Sequence, residues 1–449
     1  MNADERRMRI RGKDSVGVNS FVSRRQFLKR AAAVSSVFAV PYIIPGPALG
    51  KGGAVAPSER IIMGAIGLGG RGSGDLGWAL GESDIQVVAV CETRKDRRDA
   101  AKNAVDGKYG NKDCATYRDF RQMYADHPEI DAVLIATGDR WHSMLSILAM
   151  KAGKDVYCEK PGSLAIAEGQ AVVATAKRYG RVFQTGTQRL SQANFVFAAE
   201  MARTGRLGKI NTLRAHIAGG TSYTSKTWLP AEPEPPKDEM DWDMWLGPCP
   251  WRPYNSRYIN GGWHGCYDFH SGSIGEWGSH TITQCLMAIP EHYNDVLEFE
   301  FPDNESGDGV VVHYPNGIKM FLEAGGWRGS CGNKVEGSEG WVSVADGYER
   351  PEVSDLALLK DFDKIVQDYI AANDRPMNHM RDLFNCVRNR RQPVANPVMM
   401  HRSMSMVHAA NICMWLKRNV KWDPVKQEFV GDADANRLRS RAMREPWRV

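Results

Sequence analysis

The sequence predicts an α/β fold whose first half is a doubly wound parallel sheet. Two observations carry this. Continuous apolar runs alternate with helical stretches through residues 58–188, the pattern of strands buried on both faces. The first run, residues 61–66, ends on Gly67-Leu68-Gly69-Gly70-Arg71-Gly72, a glycine-rich turn that opens into a helical stretch.

The elements follow in order. Further strands are read at residues 85–91, 131–137, 155–159 and 182–186, with helices at 143–151 and 164–179. After Gln188 the texture changes. Residues 228–263 hold Trp228, Trp242, Trp245, Trp251 and Trp263 among prolines, and read as a long ordered loop that covers something. Residues 295–349 read as hairpins around the turn Tyr314-Pro315-Asn316-Gly317. Residues 377–390 and 398–417 read as helices. The expected organisation is a leader and linker over 1–56, a nucleotide-binding domain over 58–188, a second α/β domain over 189–420 and a tail over 421–449.

The 449 residues are 43% hydrophobic and 25% charged, an ordinary globular composition. The net charge of +5 does not point to nucleic acid. Residues 1–50 carry nine Lys/Arg against three acids, which leaves −1 for the remainder. That basic leader contains Arg24-Arg25, then a ten-residue apolar stretch from Ala31 to Val40, then Pro41. Ten residues fall well short of the roughly 20 that span a bilayer, so no stable membrane anchor is expected. The pattern resembles a twin-arginine export signal, with small residues for cleavage at Ala48-Leu49-Gly50 or Ala54-Val55-Ala56. Contact with that export machinery and an exported, periplasmic location are the expectation. The nine cysteines include no C-x-x-C pair, and no disulfide framework or zinc site is readable.

The chemistry-bearing residues sit at strand ends, where doubly wound sheets bind ligands. Gly67 permits the tight turn and Gly69 lets backbone amides approach a pyrophosphate, with Gly70 and Arg71 between; Gly72 allows close helix packing. Glu92 follows Gly72 by 20 residues, at the end of the second strand, placed to accept ribose hydroxyls of NAD. Arg71, Arg94, Arg97 and Arg98 lie near enough in sequence to hold a 2′-phosphate, so NADP stays open. Thr137, Trp141 and His142 close the third run and are candidates for the nicotinamide end. Trp141 and His142 fit ordinary packing equally well. Glu159-Lys160-Pro161 closes the fourth run; a lysine pushed toward a cleft there suits proton transfer to or from a hydroxyl.

Taken together, the glycine turn, the strand end Thr137–His142 and Glu159-Lys160-Pro161 resemble the Gfo/Idh/MocA oxidoreductases. The resemblance implies a Rossmann domain followed by an α/β domain with an open, mostly antiparallel sheet. It also implies NAD(P)-dependent oxidation or reduction of sugars, polyols or their derivatives. It carries an acid–histidine pair four residues apart onto Glu276 and His280, with Glu where the family usually has Asp. Lys160 and His280 become the proton-handling pair, and Gln188 a contact at the nicotinamide end. Trp263, His264, Tyr267 and His270 are candidate substrate contacts; stacking by Trp263 and Tyr267 competes with core packing. His264, His270 and His280 with Asp268 fit no standard zinc spacing, so no metal is assigned. A homo-oligomer is expected by the same resemblance. Two rival readings stand: an exported chain that cycles its cofactor internally, as a paired oxidoreductase or an NAD-dependent glycosidase, and a binding module without activity. The lysine of Glu159-Lys160-Pro161 counts against the glycosidase.

Overall fold

The computed structural model describes residues 55–218, 228–303 and 308–448. Contacts divide the chain into Met1–Ser58 and Glu59–Val449. The expected export leader lies outside the described residues, apart from 55 and 56. Among the described residues no helix is long and apolar enough to cross a membrane.

The second unit opens with β1 (Ile61–Ile66), α1 (Gly70–Gly81), β2 (Ile85–Cys91), α2 (Lys95–Tyr109), β3 (Ala115–Tyr117), α3 (Phe120–Asp126), β4 (Ala132–Ile135), α4 (Asp139–Lys151), β5 (Asp155–Cys158), α5 (Ile166–Tyr179) and β6 (Phe183–Thr185). All six strands are parallel, in the order β3-β2-β1-β4-β5-β6. That is the doubly wound order in which the crevice opens where β1 and β4 diverge. β4 and β5 are buried throughout, which is why they read as unbroken apolar runs.

Then come α6 (Ala193–Arg203), β7 (Ile210–His216), α7 (Trp242–Leu246), α8 (Ser279–Ala288), β8 (Leu297–Glu300), β9 (Val310–His313), β10 (Lys319–Glu323), β11 (Asn333–Gly337), β12 (Trp341–Val344) and β13 (Glu352–Val353). The chain closes with α9 (Phe362–Asn373), α10 (His379–Asn389), α11 (Pro397–Leu416), β14 (Val420–Asp423), β15 (Glu428–Phe429) and α12 (Ala433–Arg437). The second sheet has nine strands in the order β13-β12-β11-β7-β10-β9-β8-β14-β15. Only the β7–β10 pair is parallel. The family resemblance implied this sheet; the hairpin pattern accounts for β8 to β12.

The two halves share elements. Met380, Leu383 and Phe384 of α10 enter the apolar layer over β1 and β2. α11 starts at Pro397, with the Asn396 side chain accepting from the amides of Val398 and Met399, and runs against α5 and α8. Residues 420–429 complete the second sheet, and Trp447 is buried against Trp141, ring centroids 4.9 Å apart. All nine cysteines are buried and unpaired.

Candidate active site

The glycine turn meets the end of β4 at close range. Gly67 has φ +81°, and a Cβ there would lie 2.5 Å from the Thr137 amide nitrogen. A Cβ on Gly72 would lie 2.0 Å from the Gly67 carbonyl oxygen, so α1 can start against the turn only without side chains. These approaches shape a cleft of about 580 Å³ bordered by the turn, Glu92, Thr137 and Trp141. Glu92 accepts the Leu68 amide on Oε2 (2.8 Å) and the Thr93 hydroxyl and Arg94 amide on Oε1. A carboxylate has about four acceptor positions, so one remains for a ribose hydroxyl. A dinucleotide therefore fits: pyrophosphate at the head of α1, ribose at Glu92.

The arginines separate by role. Arg71 is committed to acids, with Nη2 2.7 Å from Asp75 and Nε 3.1 Å from Glu159. Arg94 pairs with Asp96 and donates to Asn260, and Arg98 donates to the Glu92 and Asp238 carbonyls. Arg97 and Arg118, like Arg71, reach the cleft itself. Arg118 carried no signal in the sequence. Arg71 borders the cleft while paired to its two acids, and Arg94 is held by Asp96 and Asn260 outside the lining.

The tryptophan-rich segment does cover the cleft. Trp242 stacks on Trp245 at 4.8 Å, and Tyr254, Tyr258 and Phe269 complete a small aromatic core. Trp141 donates to the Met244 carbonyl (2.7 Å) and Arg140 lies 3.5 Å over the Trp245 ring. Met244, Trp245, Trp263 and His264 form the covering wall. Trp141 thus both lines the cleft and packs. His142 does not line it: its ring nitrogens lie 2.8 Å from the Pro161 carbonyl and 3.0 Å from that of Thr137, bridging two strand ends.

Beside the cleft, reached through Arg71 on its border, Glu159 gathers donors. Its Oε1 accepts from Arg71, from Gln188 Nε2 (2.8 Å) and from the Tyr157 hydroxyl. Gln188 therefore touches Glu159 directly. Lys160 Nζ donates to Glu276 Oε2 at 2.7 Å, across 116 residues. Glu276 Oε1 lies 3.0 Å from His270 Nε2. The His270 Nδ1 accepts the amides of Gly265 (3.0 Å) and Gly272 (3.2 Å). Two donors on Nδ1 place the ring hydrogen on Nε2, facing Glu276. His270 is therefore not a free substrate contact, as the sequence suggested. Neither is Tyr267: its ring lies under Arg441 and edge-on to Trp415. Trp263 stacks on His264 at 3.8 Å, and both stay at the cleft wall.

Glu276 and His280 share the i, i+4 spacing but face different partners. Glu276 sits in a π-helical turn, Ile274–Gly278, that precedes α8. His280 Nε2 lies 3.1 Å from Arg189 Nη1, and Arg189 holds Asp346 through two nitrogens. Arginine can only donate, so His280 accepts on Nε2 and carries its hydrogen on Nδ1, which is buried and has no partner among the described residues.

The electrostatics follow. Burial pulls the Lys160 ammonium down, but Glu276 and Glu159 outweigh it and hold its pKa above the ordinary lysine value. Burial pushes Glu276 up, but the His270 hydrogen bond and Lys160 bring it far below the carboxylate range. Glu276 draws the His270 pKa up against its burial; the two amides on Nδ1 oppose protonation there, and the geometry decides for the neutral ring. Burial, reinforced by Arg189, Lys160 and Arg71, drives His280 well below the imidazole value. Asp139, Glu276 and His270 also bring their ligand atoms within 4.8 Å of one another, a grouping the sequence spacing did not show. The Lys160 ammonium already supplies positive charge there.

Comparison with known proteins decides the family. Residues 61–187 match the oxidoreductase family described as an NAD-binding Rossmann fold, and residues 210–449 match its C-terminal alpha/beta domain. The chain belongs to the Gfo/Idh/MocA oxidoreductase family. Within the Gfo/Idh/MocA family, it is 32% identical over 152 residues to a myo-inositol 2-dehydrogenase of Thermotoga maritima, covering 34% of this chain and 43% of that protein. It is 29% identical over 210 residues to a glycosyl hydrolase family 109 protein of Shewanella pealeana, covering 42% and 44%. The chain thus spans less than half the length of these relatives. Among solved structures, an aldose-aldose oxidoreductase from Caulobacter crescentus superposes with a TM-score of 0.54 at 18% identity, covering 81% of this chain and 99% of that one. The WlbA dehydrogenase from Bordetella pertussis, solved with NADH and UDP-GlcNAcA, gives 0.56 at 15% identity, covering 80% and 98%. At such identities these two share the Gfo/Idh/MocA fold.

Proposed function

We propose that the chain is an NAD(P)-dependent oxidoreductase acting on a CH–OH group of a sugar, polyol or related compound. The observation that carries this is the glycine-turn cleft itself, bordered by Gly67, Glu92 and Arg71, with Arg71 paired to Glu159 beside Lys160, whose positive charge in turn acts on the buried His280. A bound nicotinamide supplies the hydride acceptor or donor. Neutral His280 suits the proton acceptor: its Nε2 takes the hydroxyl proton once Arg189 Nη1 yields that position, and Asp346 keeps the guanidinium at hand. Charged Lys160 donates to the same substrate oxygen as negative charge develops on it. In the reverse direction the protonated His280 returns the proton to that oxygen, with Lys160 still donating to it. Trp263 offers an aromatic face at the cleft wall for the substrate ring.

The inositol dehydrogenase among the relatives supports a polyol substrate. The family 109 relatives support the redox-neutral rival, and Lys160 argues against it. One assay separates them. Purified protein is incubated with inositols and aldoses while NADH absorbance is followed, and in parallel with nitrophenyl glycosides. Net NADH with a polyol or sugar is expected. Nitrophenol release without net NADH would replace this reading with the glycosidase.

The leader extends the proposal: export through the twin-arginine route, with the nucleotide held on the glycine turn throughout. Mass spectrometry of the cofactor released from exported protein tests retention and distinguishes NAD from NADP. Protein recovered without nucleotide would overturn retention.

A further inference from the structure

The Glu276 carboxylate bridges two partners. One carboxylate oxygen takes the Lys160 ammonium at 2.7 Å and the other takes His270 Nε2 at 3.0 Å. His270 comes from the loop before the π-helical turn, and its own orientation is fixed from behind. The Gly265 and Gly272 amides both donate to Nδ1, and Arg441 Nη1 lies 3.3 Å from its carbonyl oxygen. The ring is buried. Its only remaining polar atom, Nε2–H, points at Glu276.

We propose that His270 is a positioning residue: it fixes one oxygen of Glu276 so that the other holds the Lys160 ammonium at the reacting centre. The inference rests on Lys160 as the proton-handling lysine. It also gives the departure at position 276 a physical reason, since the extra methylene lets one carboxylate bridge two partners. The charged and titratable groups facing this cluster are Glu159 from the end of β5, Asp139 and His142 from α4, Asp75 from α1, His280 from α8, Cys331 before β11, and Glu276, His270 and Lys160 themselves. Asp139 accepts weakly from Ser271, at 3.4 Å. Burial, then the charge of Glu276, raises its pKa.

The test reads the state of Lys160 without turnover, so its failure is separable from a failure of the proposed activity. The full chain is acetylated with acetic anhydride over a pH series, and modification of Lys160 is measured by peptide mass spectrometry. His270→Leu should move the Lys160 midpoint down by about one unit, because the unpinned Glu276 carboxylate no longer stays in contact with the ammonium and its charge acts more weakly. That is about tenfold faster labelling below the midpoint. His270→Gln, which returns an N–H near Nε2, should restore the wild-type curve. In a Glu276→Gln background His270→Leu should add nothing. If His270→Leu does not fold, Glu276→Asp makes the same test, because its shorter side chain loses one of the two contacts and labelling should rise. Unchanged labelling in these variants, or an equal shift with and without Glu276, overturns the proposal.

Discussion

The Lys160 flank and the His280 flank of the polar cluster beside the cleft both contain an acid beside a basic group, yet they hold protons differently. On the Lys160 flank the Glu276 carboxylate sits on the ammonium and keeps it charged. On the His280 flank the carboxylate of Asp346 sits on Arg189, one residue removed from the imidazole. Arg189 then presents positive charge to His280, and burial does the rest. The same two ingredients, an acid and a base, give opposite results according to which base the acid touches. A site that must both take and give a proton gains by having one group ready in each state.

Removing either flank breaks the comparison. Lys160→Met should lose about 10²–10⁴-fold in kcat, the usual size of an acid–base contribution, with bound NAD unchanged by absorbance. Full turnover in that variant would remove Lys160 from the mechanism. His280→Gln should cost about 10²-fold, because Arg189 and the cleft remain. The wild-type pH–rate profile sharpens the contrast. Activity should fall on the acid side only below the ordinary imidazole value of about 6.5, as His280 protonates, and on the alkaline side only above the ordinary lysine value of about 10.4. An acid limb above 6.5 would mean His280 is not kept neutral.

Stability offers two smaller tests. His280, His379, His401 and His408 all have pKa values lowered by burial, His408 to about 3. Groups depressed in the fold take up protons more readily when unfolded, so their contribution is present above about 6.5 and lost as pH falls, at about 1.4 kcal/mol per unit for each group. Urea melts between pH 7 and 4 should show the loss. Asp75 behaves oppositely. Burial and the neighbouring Glu159 raise it to about 8 although Arg71 is close. A raised acid is most favourable to the fold below its unfolded value near 4, and the advantage disappears as pH rises through 8. Asp75→Asn, which keeps the neutral shape, should therefore stabilise the protein by about 1–3 kcal/mol at pH 9 and by little at pH 5. No difference at pH 9 would show that Asp75 is ionised there without cost.

How much of this was legible in the sequence depends on the range of the interaction. The glycine turn, Glu92 and Lys160 were legible because each sits at the end of an apolar strand, and strand ends converge by topology. Glu276 and His280 were found by the family resemblance and their spacing. Their divergence was hidden, because the π-helical turn at Ile274–Gly278 breaks the regular helical repeat between them. His270 was picked out but misassigned: its partners are two loop amides and a carboxylate, which no periodicity relates to it. Arg189 and Asp346 lie 157 residues apart, and Trp447 packs on Trp141 from the end of the described chain; only tertiary folding brings such pairs together.

The nine buried cysteines bear on how such a molecule meets an oxidant. Burial raises every one of these thiols, Cys114 and Cys386 to about 11 and Cys249, Cys331 and Cys413 to about 12. The thiolate is the reactive form, and at neutral pH these side chains have almost none of it. In the closed fold none of the nine thiols is presented as a ready thiolate to an oxidant.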